Sequence, residues 1–140
     1  MTLERTLVLV KPDGVRRALV GEIIGRLERR GLRLCGLRML RVDDVLAGRH
    51  YAEHQGKPFY AELIRFITSG PTVAMVWEGP AAVALVRATM GATDPARSAP
   101  GTIRGDLATS MPDNLIHGSD SAERAAAEVA LFFSEQELVD

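Results

Sequence analysis

Val20, Ile23, Ile24 and Leu27 recur at i, i+3, i+4 and i+7, and Gly31 follows just beyond. That spacing predicts a helix over 20–30 with one apolar face, Glu22, Arg26, Glu28 and Arg29 elsewhere, and a glycine stop. Its stripe has to be buried, and the flanking segments supply the surface. Thr6 to Val10 is a short β-branched and leucine run that reads as a buried strand, closed by a turn at Lys11-Pro12-Asp13-Gly14. Leu32 to Val42 reads as a long strand, with Leu32, Leu34, Gly36, Arg38 and Leu40 on one side and Arg33, Cys35, Leu37, Met39 and Arg41 on the other. Neither side is cleanly polar, which leaves room for a partner chain to cover one.

The same reading carries through the chain. Asp43 or Asp44 is expected to cap a short helix through Tyr51, and Pro58 to begin another that runs to Ser69 before Gly70-Pro71 ends it. Thr72 to Trp77 is nearly all apolar and predicts a central strand. Residues 80–90 predict a helix on which Arg87 is the only charge, and a buried or half-buried arginine needs a carboxylate or a ligand. A long Gly/Pro/Ser/Thr-punctuated loop spans 91–106, and loops of that length in compact domains are functional or disordered. A short strand at His117 and a helix entered at Ser121 complete the order. Helices segregated on an antiparallel sheet, an α+β sandwich, fit this sequence of elements.

With 140 residues, 46% of them hydrophobic, the chain is expected to form a single domain over 1–140 with a sizeable core. Seventeen basic and 18 acidic residues leave a formal charge of −1, so no global field recruits nucleic acid or an anionic membrane. A lone Cys35 excludes an internal disulfide and a cysteine-built metal cage, and its apolar setting suggests a core thiol. The first residues lack a secretory pattern and no apolar run nears a membrane span, so a cytoplasmic location is expected.

The segment Asn114-Leu115-Ile116-His117-Gly118-Ser119-Asp120-Ser121 carries the strongest chemistry. An apolar pair drives into one of three histidines, and a glycine lets the backbone turn beside the ring. A fixed, uncharged imidazole presents one bare nitrogen as a nucleophile. Glu128, on the helix that follows, can fold back toward His117, while Asp120 suits a helix cap or loop tie better than a metal ligand.

Pro100-Gly101-Thr102-Ile103-Arg104-Gly105-Asp106, the His117 segment, Thr6-Leu7-Val8-Leu9-Val10-Lys11-Pro12-Asp13-Gly14-Val15 and Ser69-Gly70-Pro71 together resemble nucleoside diphosphate kinase. The likeness runs in order across nearly the whole chain, and four separated motifs are far more specific than one. It implies a ferredoxin-like βαββαβ core, with a four-stranded antiparallel sheet and helices packed on it. It also implies transfer of a γ-phosphate from a nucleoside triphosphate to a diphosphate, by a ping-pong route through a phosphohistidine on His117, expected at Nδ1. Glu128 would orient the ring directly or through Ser119, Arg87, Thr93 and Arg104 would meet the phosphates, and Lys11 and Asn114 the sugar. Tyr51 is expected among the nucleotide-binding residues, and His54 lies where some relatives reach the phosphates. Phe59 and Leu63, core by spacing alone, match positions that sandwich the base, and stacking tolerates every base. Mg²⁺ is expected to arrive with the nucleotide rather than in a protein cage.

Where the family commonly has Arg-Pro-Phe-Phe, this chain has Lys57-Pro58-Phe59-Tyr60, and lysine lacks the planar fork of arginine. Many relatives continue past the equivalent of Glu137-Leu138-Val139-Asp140, so tetramer and hexamer both remain open for a homo-oligomer built on a dimer. The rival readings are a regulatory or nucleic-acid-binding protein on the same scaffold and, more weakly, a histidine phosphatase. The intact set of Lys11, Arg87, Thr93, Arg104, Asn114, His117 and Glu128 argues against the first.

Overall fold

The computed structural model describes residues 3–140. Among them, β1 (Leu3–Val10), β2 (Arg33–Leu40), β3 (Thr72–Pro80) and β4 (Ile116–Gly118) form one antiparallel sheet in the order β2-β3-β1-β4. The helices are α1 (Pro12–Arg16), α2 (Val20–Arg29), α3 (Asp44–His50), α4 (Tyr60–Ile67), α5 (Ala82–Met90), α6 (Ile103–Leu107) and α7 (Ala122–Phe132). Helices connect β1 to β2 and β3 to β4, which with this strand order is the ferredoxin-like βαββαβ arrangement.

β1 and β3 occupy the middle of the sheet and are covered on both faces over 7–10 and 73–77, so those stretches are apolar without alternation. Val8, Val10, Val73, Met75 and Trp77 pack with Ile23 and Leu27 of α2 and Val86 of α5. Leu7, Leu9, Ala74 and Val76 pack with Ala47 of α3, Ile67 of α4 and Phe132 of α7. Each fully buried side chain of this size contributes about 1.5–3 kcal/mol. That burial holds a ten-residue α2 in place, since isolated helices of such length are marginal in water.

β2 departs from the expected alternation. Leu34 pairs with Trp77 and Gly36 with the adjacent Val76, so Cys35 is an extra, bulged residue. Before the bulge Leu34 packs in the α2 layer, and after it Leu40 packs in the α3–α7 layer. The residues expected on one face are therefore divided between two. Leu37 and Met39 are left 54% and 63% exposed on this edge strand.

The predicted turn after β1 is instead the short helix α1, with Pro12 supplying the preset φ of a first helical position. This helix buries Asp13, whose Oδ2 accepts from the Leu115 backbone N–H at 3.0 Å, while the Lys11 N–H donates to the Leu115 carbonyl at 2.9 Å. Leu115 adopts φ 73°, a costly conformation for a branched residue. The two bonds from the β1–α1 junction hold it there, two residues before His117. Smaller shifts also occur: the helix expected from Pro58 to Ser69 is α4 alone, and β3 runs on to Pro80, so α5 begins at Ala82.

Candidate active site

β4 sets the central residue. His117 pairs with Leu9 across the β1–β4 ladder, and Lys11 lies two residues further along β1, so both belong to the face that carries α3, α4 and α7. Helix α7, capped by the Ser121 side chain accepting from the Arg124 N–H, returns across that face and brings Glu128 under the ring. Asp120 does not serve as the cap and stands exposed at the cleft mouth.

His117 Nε2 lies 3.1 Å from Glu128 Oε1, and the buried Ser119 hydroxyl donates to that same oxygen at 2.6 Å. Burial on its own would push the Glu128 carboxyl up. The hydrogen bonds from His117 and Ser119 and the neighbouring imidazoles outweigh burial and hold it at about 2. An ionised carboxylate only accepts, so the His117 proton resides on Nε2. Among the described residues nothing hydrogen-bonds Nδ1, and the ring lines an open cleft of about 320 Å³.

The cleft walls bring together most of the residues singled out from the sequence: Lys11, Tyr51, His54, Leu63, Arg87, Thr93, Arg104 and Asn114. Lys11 Nζ hydrogen-bonds the Asn114 side-chain oxygen and the Pro112 carbonyl. Burial, reinforced by Arg104 and partly offset by Asp13, brings Lys11 down to about 8. Asn114 Nδ2 donates to the Thr93 carbonyl at 2.9 Å, which ties the long loop to the His117 segment. Burial also pushes the Tyr51 phenol up to about 12, so it remains a neutral donor. His54 Nδ1 is 3.2 Å from Lys57 Nζ. Phe59 lies outside the cleft wall, 44% exposed, with its ring 5.4 Å from that of His54.

The two arginines exchange the roles expected of them. Arg87 is exposed rather than buried and has no hydrogen-bond partner among the described residues, so its whole guanidinium fork faces the cleft. Its helix is apolar because α5 packs on the sheet, not because Arg87 does. Arg104 is not a loop residue; it sits on α6, which Thr102 caps through the Gly105 N–H. It is buried, and it donates to four carbonyls, those of Asn114, Ile116, Gly91 and Ala92. Of five N–H groups on a guanidinium, one remains for a ligand. Burial, with Arg87 nearby, draws its pKa down to about 10.

Three residues escaped the sequence reading. His50 is buried against the active-site ring, centroids 4.7 Å apart and edge to face, and both its nitrogens lack partners. Its signal was its place three residues after Ala47 on the buried stripe of α3. Arg124, one turn before Glu128, reaches both Glu128 Oε2 at 3.4 Å and Glu53 Oε1 at 3.7 Å. Asp13 was hidden in the supposed turn.

An imidazole with one nitrogen fixed on a carboxylate and the other facing a cationic cleft is equipped to accept a phosphoryl group. Comparison with known proteins identifies the family. The family model described as nucleoside diphosphate kinase matches residues 4–138. The nucleoside diphosphate kinase of Thermomicrobium roseum is 61% identical over 137 residues, covering 98% of this chain and 92% of that protein. That of Rubrobacter xylanophilus is 64% identical over 131 residues, covering 94% and 98%. Among solved structures, a halophilic nucleoside diphosphate kinase from Halobacterium salinarum in complex with CDP superposes with a TM-score of 0.96 at 55% identity, covering 99% of this chain and 93% of that one. Fold, cleft and sequence converge: the chain belongs to the nucleoside diphosphate kinase family of phosphotransferases.

Proposed function

We propose that the chain moves the γ-phosphoryl group of a nucleoside triphosphate to a nucleoside diphosphate through a phosphohistidine at His117 Nδ1. The observation that carries this reading is the pairing of His117 Nε2 with Glu128, which leaves Nδ1 as the nitrogen with a lone pair toward the cleft. In the first half-reaction the Nδ1–phosphorus bond forms and the bond to the bridging oxygen breaks, with its electron pair leaving on the diphosphate. The ring becomes cationic, and the Glu128 carboxylate beneath it balances that charge. A second diphosphate then takes the group back by the reverse steps.

Arg87 meets the transferring phosphates with its free fork, Arg104 with its remaining N–H, and Thr93 and Tyr51 with their hydroxyls. Lys11 and Asn114 hold the sugar, while Leu63 and the rim ring of Phe59 enclose the base without reading its edge. The nucleotide enters as its magnesium complex. Magnesium prefers oxygen and retains water, and among the described residues the only cluster of potential ligands is two imidazoles and one carboxylate, so its ligands here are phosphate oxygens and water. That the Halobacterium salinarum relative was solved with CDP supports a nucleoside diphosphate in this cleft.

No helix among the described residues is long and apolar enough to cross a membrane. We place the enzyme in the cytoplasm as a symmetric homo-oligomer, with the exposed Leu37 and Met39 of β2 as a surface for a second copy. Initial-rate kinetics test the mechanism. Parallel double-reciprocal lines at varied diphosphate support a ping-pong route, and intersecting lines contradict it.

A further inference from the structure

Behind the imidazole that Glu128 orients lies a histidine with no assigned task. His50 is 4% exposed, and neither ring nitrogen finds a partner. A buried, unsatisfied polar group is costly and calls for an explanation. His50 Nδ1 stands 3.8 Å from Glu128 Oε2, and His117 Nε2 stands 3.1 Å from Oε1 of the same carboxylate. One ligand atom from each of the three residues falls within 4.8 Å of the other two, and all three residues line the cleft.

Tetrahedral zinc, with bonds of about 2.0–2.1 Å, sets its ligand atoms about 3.3 Å apart. The two separations from Glu128, 3.1 and 3.8 Å, bracket that figure, and side-chain rotation has to draw the whole set in from within 4.8 Å. Two neutral imidazoles and one carboxylate form a donor set for borderline cations, while oxygen-seeking magnesium favours the nucleotide. Arg124, at 3.4 Å from Glu128 Oε2, has to swing aside toward Glu53.

We propose that His50, His117 and Glu128 form a three-ligand site for a borderline divalent cation, zinc foremost, whose binding silences the His117 nucleophile. Water would complete the coordination. In the free enzyme the ring's one proton lies on Nε2 and the lone pair on Nδ1. When zinc takes the Nε2 lone pair, that proton moves to Nδ1, and the nitrogen facing the cleft no longer attacks. Glu128 is diverted to the metal at the same time. The inhibition, though not the site itself, rests on the phosphotransfer reading given above.

The chain's three histidines make the test direct. Ring-nitrogen NMR of the ¹⁵N-labelled full chain, titrated with zinc chloride, is expected to move the His50 and His117 signals together near one equivalent while His54 stays. Movement of His54 alone, or of none at excess zinc, overturns the site. By calorimetry, His50→Gln, which removes a ligand, should weaken zinc binding by more than the about 10–100-fold that loss of an outer-shell partner costs, with His54→Gln near the unmodified chain; unchanged affinity in His50→Gln overturns it. The ring spectrum of the unmodified chain decides the matter even where His50→Gln does not fold. Zinc should also suppress phosphotransfer and a chelator restore it. Zinc at both rings without inhibition removes the switch, whereas absence of transfer in zinc-free enzyme counts against the kinase reading and not against the site.

Discussion

Ser119 and His117 share a single oxygen of Glu128: the hydroxyl donates to Oε1 at 2.6 Å and Nε2 lies 3.1 Å from it. The oxygen is thereby saturated from two directions, and the ring is held in one tautomer and one orientation. Glu128→Gln keeps the shape but presents an amide that has no need of the ring proton. Oriented proton and charge partners contribute about 10²–10⁴ in rate. The variant is expected to lose about 10² in kcat with little change in nucleotide affinity, measured by steady-state kinetics beside equilibrium binding; an equal loss in both would make Glu128 a structural residue.

Arg104 and Arg87 should separate by stability. Arg104→Met removes a donor from the Asn114 and Ile116 carbonyls, where the bonds are buried, and from those of Gly91 and Ala92, where they are part-buried; each group left unsatisfied costs about 1–3 kcal/mol, with cleft water and the Ile116 N–H bonded to the Asn114 carbonyl recovering part. A loss of about 3 kcal/mol in urea unfolding is expected, alongside slower transfer. Arg87→Ala should stay within about 0.5 kcal/mol of the parent, as an exposed side chain does, yet lower kcat/KM sharply. Equal unfolding midpoints for the two variants would contradict the division.

Gly105 is a packing constraint. A Cβ there would lie 1.9 Å from the Ala99 carbonyl oxygen, a backbone atom that cannot swing aside. Gly105→Ala should destabilise the chain by about 3 kcal/mol and disturb the cap on α6, read by chemical denaturation. At Gly118 the nearest atom is the sulfur of the flexible Met90 side chain, so Gly118→Ala should cost less. A milder loss at Gly105 than at Gly118 would contradict this reading.

Lys11 fixes a pH dependence. Its folded pKa, near 8, lies below the ordinary 10.5, so the unfolded chain binds more protons between those values and stability contributed by this group rises as pH climbs from about 8 to 10.5. An anionic nucleotide beside Lys11 favours the charged form. Nucleotide binding should therefore take up a proton near pH 8 and weaken above it, measured by calorimetry in buffers of different ionisation enthalpy. Proton uptake that persists unchanged in Lys11→Met would assign it elsewhere.

Periodicity made much of this legible before any coordinates. The α2 stripe, the apolar strands, the capped α7 and Glu128 returning to His117 all follow from spacing that local physics enforces. The bulge at Cys35 did not, because one extra residue reverses the facing of everything after it without altering composition. Arg87 misled through its helix, whose apolar character describes the buried side and says nothing of the exposed one. Arg104 reads as a loop residue because Thr102-Ile103-Arg104-Gly105 contains a glycine, a usual breaker, whereas packing at Gly105 selects it within a short helix. The partners of His50 and Asp13 are hidden for a shared reason: each lies more than 60 residues distant, so the stripe of α3 announces that His50 is buried but not what it meets.

The central claim is that His117 Nδ1 carries the phosphoryl group between nucleotides. Brief incubation with γ-labelled ATP should leave one acid-labile label per site on Nδ1 of His117 and none on His117→Gln, and GDP should then convert that label to GTP. Equal labelling of His117→Gln, or release of the label only as free phosphate, would contradict it.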